Sequence, residues 1–250
     1  MTTERTIIVL PAYNAEATLE RLVRSIPAGC CDEILLVDDA SRDRTVAVAR
    51  GLPVTVIEHA ENRGYGANQK TCYREALARG ADYVAMLHPD FQYDARLIPA
   101  AFDVLRVGVC DVVLGNRIRT RREALEGGMP LVKYLANRLL TMIENVLAGQ
   151  NLGEWHSGFR AYRREVLETL PLERNSDDFV FDSQVLLQCV QFGFKLGDLP
   201  MPVRYLEESS SIDLSRSTVY ALATLWTFGV WLAHRSGLAR SPLFTPRDRA

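Results

Sequence analysis

The sequence lacks the features that mark secreted, disulfide-stapled or nucleic-acid-binding proteins. Its five cysteines are odd in number and form no Cys-x-x-Cys pair, so neither a disulfide framework nor a zinc knuckle is indicated, and a reducing cytoplasm fits. Lysine plus arginine number 29 against 31 for aspartate plus glutamate, and the net charge of -2 excludes a broadly basic nucleic-acid coat. The first apolar run, residues 6–10, ends at Pro11 and is too short for a signal-peptide core.

A long hydrophobic run is also missing, although residues 217–233 come close. These residues carry no charge, but a spanning helix needs about 20 predominantly apolar residues, and this stretch is shorter. Tyr220, Trp226 and Trp231 are amphipathic rings that suit the headgroup boundary of a bilayer. Two interpretations therefore stay open: a helix lying in a membrane interface, and a terminal helix buried against the domain.

The composition is that of an ordinary globular protein, with 48% hydrophobic and 24% charged residues and enough chain for one large domain. Apolar runs predict four strands, at residues 6–10, 33–37, 54–57 and 83–87. Helical spacing predicts helices between them, at residues 15–26, 45–50 and 67–79. Asn14 is the predicted N-cap of the first helix. The alternation predicts an α/β fold, a mostly parallel sheet with helices on both faces.

The rest of the chain continues this pattern less regularly. After a helix at 95–106 and a strand at 111–114, the basic residues 115–128 end in two glycines and are predicted to form a mobile loop. An apolar helix over 131–147 is predicted to pack on the domain. The remaining predicted parts are a helix at 178–192, an edge strand at 196–205 and a loose polar tail after residue 235. We place the domain over residues 1–210 and an apolar helix with its tail over 211–250.

The ends of the first four strands carry the residues most suited to a binding site. Ligands of open α/β sheets bind beyond the carboxyl ends of the strands. The residues at those ends are Pro11-Ala12-Tyr13, Asp38-Asp39, Glu58-His59 and His88-Pro89-Asp90. Because three of the four ends carry a carboxylate, we predict a functional cleft there.

Two motifs near these ends have more than one interpretation. His88, Asp90 and Gln92 alternate and could face one divalent ion, Mg²⁺ as an oxygen-preferring cation or Mn²⁺ as one that better tolerates imidazole. The alternative for His88 is a strand-end histidine bonded to the backbone. Gly64 and Gly66 precede a helix and could aim backbone N–H groups at a phosphate, or could form a turn that only positions the helix.

Four segments together resemble a known family. PAYNAEATLERLV, EILLVDDASRDRT, NRGYGAN and the acidic motif after the fourth strand resemble the family 2 glycosyltransferases of GT-A fold. GNR after the fifth strand and SGFRAYRREVLE at 157–168 are similar to dolichyl-phosphate mannose synthase and related polyprenyl-phosphate sugar transferases. The resemblance covers about residues 5–205. It implies an enzyme that uses a nucleoside-diphosphate sugar as donor.

The resemblance also implies roles for individual residues. Those that would line the nucleotide pocket are Pro11, Tyr13, Glu16, Asp38 and Asp39, with Gly64 a further candidate. Asp90 matches the second acid of the family's metal motif and Gln92 a third metal contact, whereas His88 stands where the family has its first acid. Arg117 and Arg138 match the positions that would hold an acceptor phosphate. Residues 204–211 depart from the family's acceptor loop.

These assignments predict a metal-dependent, inverting transfer of a hexose from GDP-mannose or a UDP-sugar to a polyprenyl phosphate. A phosphate dianion needs cations rather than a general base, and the cations near the basic loop are Arg117, Arg119, Arg121, Arg122, Lys133 and Arg138. A hydroxyl acceptor would instead need a carboxylate base, for which Asp177, Asp178 and Asp182 are the candidates. A third alternative is a non-catalytic nucleotide-sugar-binding protein. We expect a cytoplasmic protein, peripheral on the inner face of the membrane.

Overall fold

The computed structural model describes residues 4–202 and 214–246, and it contains one seven-stranded sheet. The strands are β1 Thr6–Ala12, β2 Glu33–Asp38, β3 Thr55–Glu58, β4 Tyr83–Leu87, β5 Val112–Asn116, β6 Phe159–Arg163 and β7 Leu196–Pro200. Their order is β3-β2-β1-β4-β6-β5-β7, and only β6 runs antiparallel to its neighbours. The predicted mostly parallel α/β sheet is confirmed.

Helices cover both faces of this sheet. In the described residues they are α1 Leu19–Ser25, α2 Thr45–Ala49, α3 Tyr65–Ala78, α4 Ile98–Val107, α5 Arg121–Glu126, α6 Leu131–Ala148, α7 Arg164–Thr169, α8 Phe181–Gln191 and α9 Leu214–Arg235. Successive β1 residues point to opposite faces, so Ile8 and Leu10 pack with α1 and α4, whereas Ile7 and Val9 pack with α3, α7 and α8. Every residue of β1 is buried, as expected for a central strand of a parallel sheet.

Two local predictions are wrong. Residues 115–128 are not a bare loop, because Arg121–Glu126 forms α5 and the Thr120 side chain caps it by accepting the N–H of Glu123. Asn14 does not cap α1. Its φ of 51° is left-handed, and its side-chain oxygen accepts the N–H of Arg42 from the loop after β2. The helix begins later, at Leu19.

Helix α6 packs on the domain, but with the opposite face to the one its apolar residues predict. Its buried residues are Thr141, Glu144 and Ala148. Its exposed side chains are the apolar ones, Leu131, Val132, Leu135, Leu139, Met142 and Val146. The helix therefore turns a polar stripe inward and a hydrophobic stripe outward, the reverse of a surface helix on a globular domain.

Helix α9 packs against α6 and α8, as the buried-helix interpretation of residues 217–233 expects, and its contact with a membrane interface stays a prediction. Phe228 and Trp231 are buried, and the Trp231 indole donates to Gln191, so this ring does not reach a headgroup boundary. Trp226, by contrast, is 75% exposed. No helix in the described residues is long and apolar enough to span a bilayer. The predicted loose tail after residue 235 is wrong in part, since Phe244 is buried in a short 3-10 turn.

The predicted edge strand ends at Pro200 in the structure, and the remainder of the stretch predicted at 196–205 runs into residues 203–213, which lie outside the described residues. The departing loop at 204–211 and the domain boundary at residue 210 lie in the same segment. The boundary therefore stays a prediction.

Candidate active site

Two carboxylates at the end of β2, Asp38 and Asp39, bind the backbone of nearby loops. Asp39 is buried and accepts the N–H groups of Arg63 and Gly64 at 2.9 Å each, and its Oδ1 lies 2.7 Å from His59 Nδ1. Asp38 accepts both the N–H and the hydroxyl of Ser41. Both carboxylates thus fix the loops that surround the cleft, and their predicted contact with a nucleoside stays a prediction.

The predicted donor-side residues of the first loop lie at the same edge. Pro11 is buried near the end of β1, while Tyr13, just after the strand, is 46% exposed. Glu16 accepts the N–H of Arg44 at 2.6 Å and pairs with its guanidinium at 3.5 Å. This pair joins the β1 loop to the start of α2.

The glycines before α3 form a tight junction with the loop at residues 176–177. Gly64 has φ +98°, and a Cβ there would lie 2.6 Å from the Asp177 carbonyl oxygen. A Cβ on Gly66 would lie 2.3 Å from the Ser176 carbonyl oxygen, and its N–H donates to Asp177 O at 2.7 Å. The N–H groups that could have met a phosphate are bonded within the protein, which favours the turn interpretation over the anion site.

His88 follows β4 and is held on two sides. Its Nε2 lies 2.8 Å from the Tyr65 hydroxyl, which in turn donates to Asp182 at 2.7 Å. A Cβ on Gly158 would lie 2.1 Å from His88 Cδ2, so only glycine leaves room for the ring. Burial lowers the pKa of His88, against the opposing effect of Asp90 and Asp182, which favours the neutral imidazole. The backbone of His88 also donates to Gly158 O, so the strand-end alternative holds for its main chain.

Asp90 is a largely buried carboxylate whose charge is only partly compensated. Burial raises its pKa, and the opposing effects of His88, of the Gln92 N–H, which donates to Oδ1 at 3.0 Å, and of Arg117 are smaller. Within the described residues Asp90 forms no ion pair. The next residue, Phe91, has φ 60°, a strained conformation that non-glycine residues adopt mainly where function requires it.

This donor set fits a divalent cation. A buried carboxylate without a counter-ion is stabilised by one, and the neighbouring His88 and Gln92 supply nitrogen and oxygen donors. Among the described residues no three Cys, His, Asp or Glu side chains converge on one point, so a metal here would have few protein ligands. That is the usual arrangement for a cation completed by water and diphosphate oxygens.

Arg117 is paired more strongly than its predicted role implies. Its backbone N–H and its Nε both donate to Glu154, at 2.9 and 3.0 Å, and its Nη2 contacts the same carboxylate. Its Nη1 donates to the Gln92 side-chain oxygen at 3.1 Å, which leaves that oxygen one lone pair for a metal. Arg117 therefore positions Gln92 and has its charge balanced by Glu154.

The other cations of this region fall into two groups. Arg119 and Arg122 form exposed pairs with Glu123 and Glu126 along α5. Arg138 on α6 donates to the Gly153 carbonyl and, in the part of the chain that the structure describes, pairs with no carboxylate. Burial lowers the pKa of Lys133, and Arg117 lowers it further while Asp90 raises it, so this ammonium lies in the field of the site.

The candidate bases for a hydroxyl acceptor are already engaged. Asp182 is buried, accepts from Tyr65 and from Gln69 at 3.0 Å, and forms an ion pair with Arg160 at 3.3 Å. Asp177 pairs with the buried Lys70 at 2.7 Å, and exposed Asp178 accepts the N–H of Phe179. The Asp182 carboxylate is thus held by three side chains of the protein.

The geometry at this sheet edge can be compared with known proteins. The family model described as "Glycosyl transferase family 2" matches residues 7–170, which is more than half of the chain. The chain belongs to glycosyl transferase family 2. It is a glycosyltransferase, as the sequence motifs predict.

Two relatives of this family 2 enzyme carry informative names. One is the UDP-N-acetylglucosamine–dolichyl-phosphate N-acetylglucosaminyltransferase of Methanococcus voltae, 26% identical over 219 residues, which cover 81% of this chain and 86% of the relative. The other is the polyprenol monophosphomannose synthase of Mycolicibacterium smegmatis, 26% identical over 211 residues, or 80% and 77% of the two chains. Both names describe enzymes that use polyprenyl-type lipids.

Solved structures of similar fold include glucosyl-3-phosphoglycerate synthase from Mycobacterium tuberculosis in complex with Mn²⁺, UDP and glucosyl-3-phosphoglycerate. It is 21% identical, has a TM-score of 0.69, and covers 95% of this chain and 82% of its own. This likeness confirms the predicted GT-A fold.

Sequence reasoning missed three residues that organise the site. Tyr65 bonds His88, Glu154 binds Arg117, and the Tyr93 hydroxyl accepts the N–H of Gly158 at 2.6 Å. The first two bonds span 23 and 37 residues. One available signal was Glu154, the only acid between Glu144 and the SGFR motif.

Proposed function

We propose that this enzyme transfers a hexose from a nucleoside-diphosphate sugar, a GDP-mannose or a UDP-sugar, to a polyprenyl phosphate with inversion. The observation that carries the proposal is Asp90, a largely buried carboxylate without an ion-pair partner in the described residues, beside His88 and Gln92 at the carboxyl edge of the sheet. The names of the relatives in Methanococcus and Mycolicibacterium support the lipid acceptor.

On the donor side the chain supplies a rigid cradle. Asp39 and Glu16 hold the loops on either side of the β1 end, and the exposed ring of Tyr13 is available to stack on a base. Asp90, Gln92 and His88 would hold Mg²⁺ or Mn²⁺. When bound, a divalent ion stabilises the negative charge that develops on the departing diphosphate.

On the acceptor side the chain supplies positive charge rather than a base. The second pKa of a phosphate monoester is about 6, so the acceptor oxygen is already anionic at neutral pH. Arg138 has guanidinium donors beyond its bond to Gly153, and Lys133 lies in the field of Asp90 and Arg117. Asp182 is engaged by Tyr65 and Arg160, which argues against proton abstraction from a hydroxyl.

Two helices in contact, α6 and α9, both expose apolar side chains that suit a membrane surface. Those of α9 are Val219, Leu222, Leu225 and Trp226. Residues 214–246 contain three arginines and no Asp or Glu, which favours anionic lipid. We propose that α6 and α9 rest in the interface and bring the site to a lipid-borne phosphate.

A transfer assay on the full chain tests the proposal. GDP- and UDP-sugars would first be ranked by thermal stabilisation with Mg²⁺, Mn²⁺ or EDTA, since ligand at about 100 times its dissociation constant stabilises by about 2.7 kcal/mol. The selected donor is then incubated with a polyprenyl phosphate. We expect EDTA-sensitive transfer by the wild type and by Asp103→Ala, an exposed acid on α4, and none by Asp90→Ala.

The rival functions give different results in the same assay. If the enzyme transfers sugar only to a hydroxyl-bearing acceptor, and Asp178→Asn abolishes this transfer but still binds the donor, the acceptor is a hydroxyl and not a phosphate. Donor binding without transfer or donor hydrolysis would identify a binding protein. Turnover that does not depend on a divalent metal would show that Asp90 does not act as a metal ligand in the reaction.

A further inference from the structure

A buried chain of polar contacts lies behind the His88 ring. The chain runs from Arg160 through Asp182 and Tyr65 to His88. It consists of an ion pair at 3.3 Å and two hydrogen bonds at 2.7 and 2.8 Å, and Asp182 accepts a further bond from Gln69. Tyr65 and Arg160 are not among the residues proposed above to bind donor or acceptor.

The direction of each bond in this chain follows from donor counting. The carboxylate of Asp182 is an acceptor: it receives a hydrogen from Gln69 and forms an ion pair with Arg160, whose Nη1 donates to the Asp182 backbone oxygen. The Tyr65 phenol has one hydrogen, which it donates to Asp182, so its oxygen has only lone pairs left for His88. His88 Nε2 must therefore carry a hydrogen to bond Tyr65.

A neutral imidazole with a hydrogen on Nε2 has its lone pair on Nδ1. The Cδ2–Nε2 edge of His88 faces Gly158 and Tyr65, since a Cβ on Gly158 would touch Cδ2 at 2.1 Å and Nε2 at 3.0 Å. Nδ1 is on the other edge of the ring. The tautomer and the ring orientation are thus both fixed by the protein, as in metal sites whose ligating histidine donates its other N–H to a fixed acceptor.

We infer that Tyr65 and Asp182 are positioning residues that hold His88 as the Nε2–H tautomer, so that Nδ1 serves as a nitrogen ligand where the family has a carboxylate. The inference rests on the proposed function for the presence of a divalent ion. A nitrogen in place of an acid removes one negative charge from the site and shifts its preference from Mg²⁺ toward Mn²⁺. Tyr65 touches neither metal nor substrate in this assignment and acts only through His88.

The tautomer can be measured directly in metal-free protein. Long-range ¹H–¹⁵N spectra distinguish protonated from unprotonated ring nitrogens, and His88 can be assigned because the chain has only 4 histidines. We expect a protonated Nε2 and an unprotonated Nδ1 in the wild type, and a mixture of tautomers in Tyr65→Phe. Tyr73→Phe is the matched control, since it removes a buried phenol of the same helix that donates to Gln69. A wild-type ring protonated on Nδ1 overturns the inference.

Manganese binding tests the ligand assignment with the same proteins. Mn²⁺ alone is titrated by electron paramagnetic resonance, and spin-echo modulation reports a coordinated imidazole nitrogen. Tyr65→Phe should bind Mn²⁺ about 10–100-fold more weakly than the wild type and Tyr73→Phe, the usual effect of removing such a partner. Unchanged affinity, or no nitrogen modulation in the wild type, overturns the inference. Failure of the proposed function would appear separately, as no sugar transfer by a protein that meets both expectations.

Discussion

Arg117 and Glu154 form the most enclosed ion pair of the site. The Glu154 side chain is completely buried, and it accepts both the backbone N–H and the guanidinium of Arg117. The same guanidinium donates to Gln92, one of the predicted metal ligands. The pair therefore links the segment that follows β5 to the predicted metal motif, and in the structure it neutralises a cation that was predicted to bind substrate.

We expect Glu154→Gln to destabilise the protein strongly. Removing the carboxylate of a buried ion pair costs about 3–5 kcal/mol, because the remaining charge stays buried without its strongest partner. Urea unfolding monitored by tryptophan fluorescence measures this change. Glu123→Gln, which breaks the exposed pair with Arg119, should cost less than about 1 kcal/mol. Equal effects of the two substitutions would show that the buried pair adds nothing beyond a surface contact.

For Asp90→Asn we expect higher stability of the metal-free protein at neutral pH, by about 1 kcal/mol. Burial raises the pKa of Asp90 in the folded state, so the folded protein binds its proton more tightly than the unfolded chain does. This tighter proton binding stabilises the folded protein fully below the pKa of the unfolded chain, and the stabilisation is lost as pH rises through the folded-state pKa. The difference in stability between Asp90→Asn and the wild type should therefore shrink as pH is lowered.

Thermal midpoints of both proteins at several pH values, with and without Mn²⁺, measure this effect. Mn²⁺ should raise the wild-type midpoint and leave that of Asp90→Asn unchanged. A variant less stable than the wild type at neutral pH without metal would mean that Asp90 has a stabilising partner.

The strands and the strand-end residues could be predicted because they depend on local pattern. Residues 83–87 are apolar and form β4 with the predicted bounds, and the acids after the strands lie at one edge because parallel strands bring their carboxyl ends together. β6 was not predicted, since the fully buried Arg160 interrupts its apolar run.

The parts that could not be predicted depend on long-range pairing. Tyr65 and Asp182 are separated by 117 positions, and nothing local to either residue indicates the other. The face on which α6 packs also depends on more than local pattern. The sequence of α6 has a polar and an apolar stripe at helical spacing. The apolar stripe of a surface helix normally faces the core, but a membrane interface is a second apolar environment that it can face.

Gly66→Ala distinguishes a structural turn from an anion site before α3. A Cβ would lie 2.3 Å from the Ser176 carbonyl and 2.9 Å from Phe181 Cβ, so the loop must move, and we expect a loss of about 2 kcal/mol or more. Gly51→Ala is the control, because its Cβ would meet Val48 O at 3.5 Å, an ordinary contact. Chemical denaturation measures both. A stable Gly66→Ala variant that loses only donor affinity would restore the phosphate interpretation.

Arg138→Ala should weaken the use of a phosphate acceptor without affecting the donor. A charged hydrogen bond contributes about 1.5–3 kcal/mol, so the acceptor KM should rise about 10–100-fold while the dissociation constant of the donor stays unchanged. Arg122→Ala removes an arginine of neighbouring α5 that pairs with Glu126 and should behave as the wild type. Equal kinetics of both variants would assign the acceptor phosphate to other cations.

The outward apolar stripe of α6 leads to a prediction about location. Leu135 and Leu139 are both 56% exposed, one helical turn apart, and burial of a leucine side chain is worth about 1.5–3 kcal/mol. We expect the double variant Leu135→Glu, Leu139→Glu to lose at least about tenfold in affinity for vesicles that contain anionic phospholipid, as measured by sedimentation. Val107→Glu is the control, since Val107 is 74% exposed at the end of α4.

Salt and oligomeric state separate a lipid surface from a second copy of the chain. Binding through arginines weakens with ionic strength, whereas insertion of leucine and Trp226 does not, so high salt should reduce sedimentation only in part. If the apolar stripe were a subunit interface, the wild type would be a dimer without lipid and the double variant a monomer, with vesicle binding absent in both. Because residues 214–246, which include the neighbouring helix α9, contain three arginines and no acid, we expect the opposite. The lipid-free oligomeric state should be unaffected by the double substitution, and vesicle binding should depend on the two leucines.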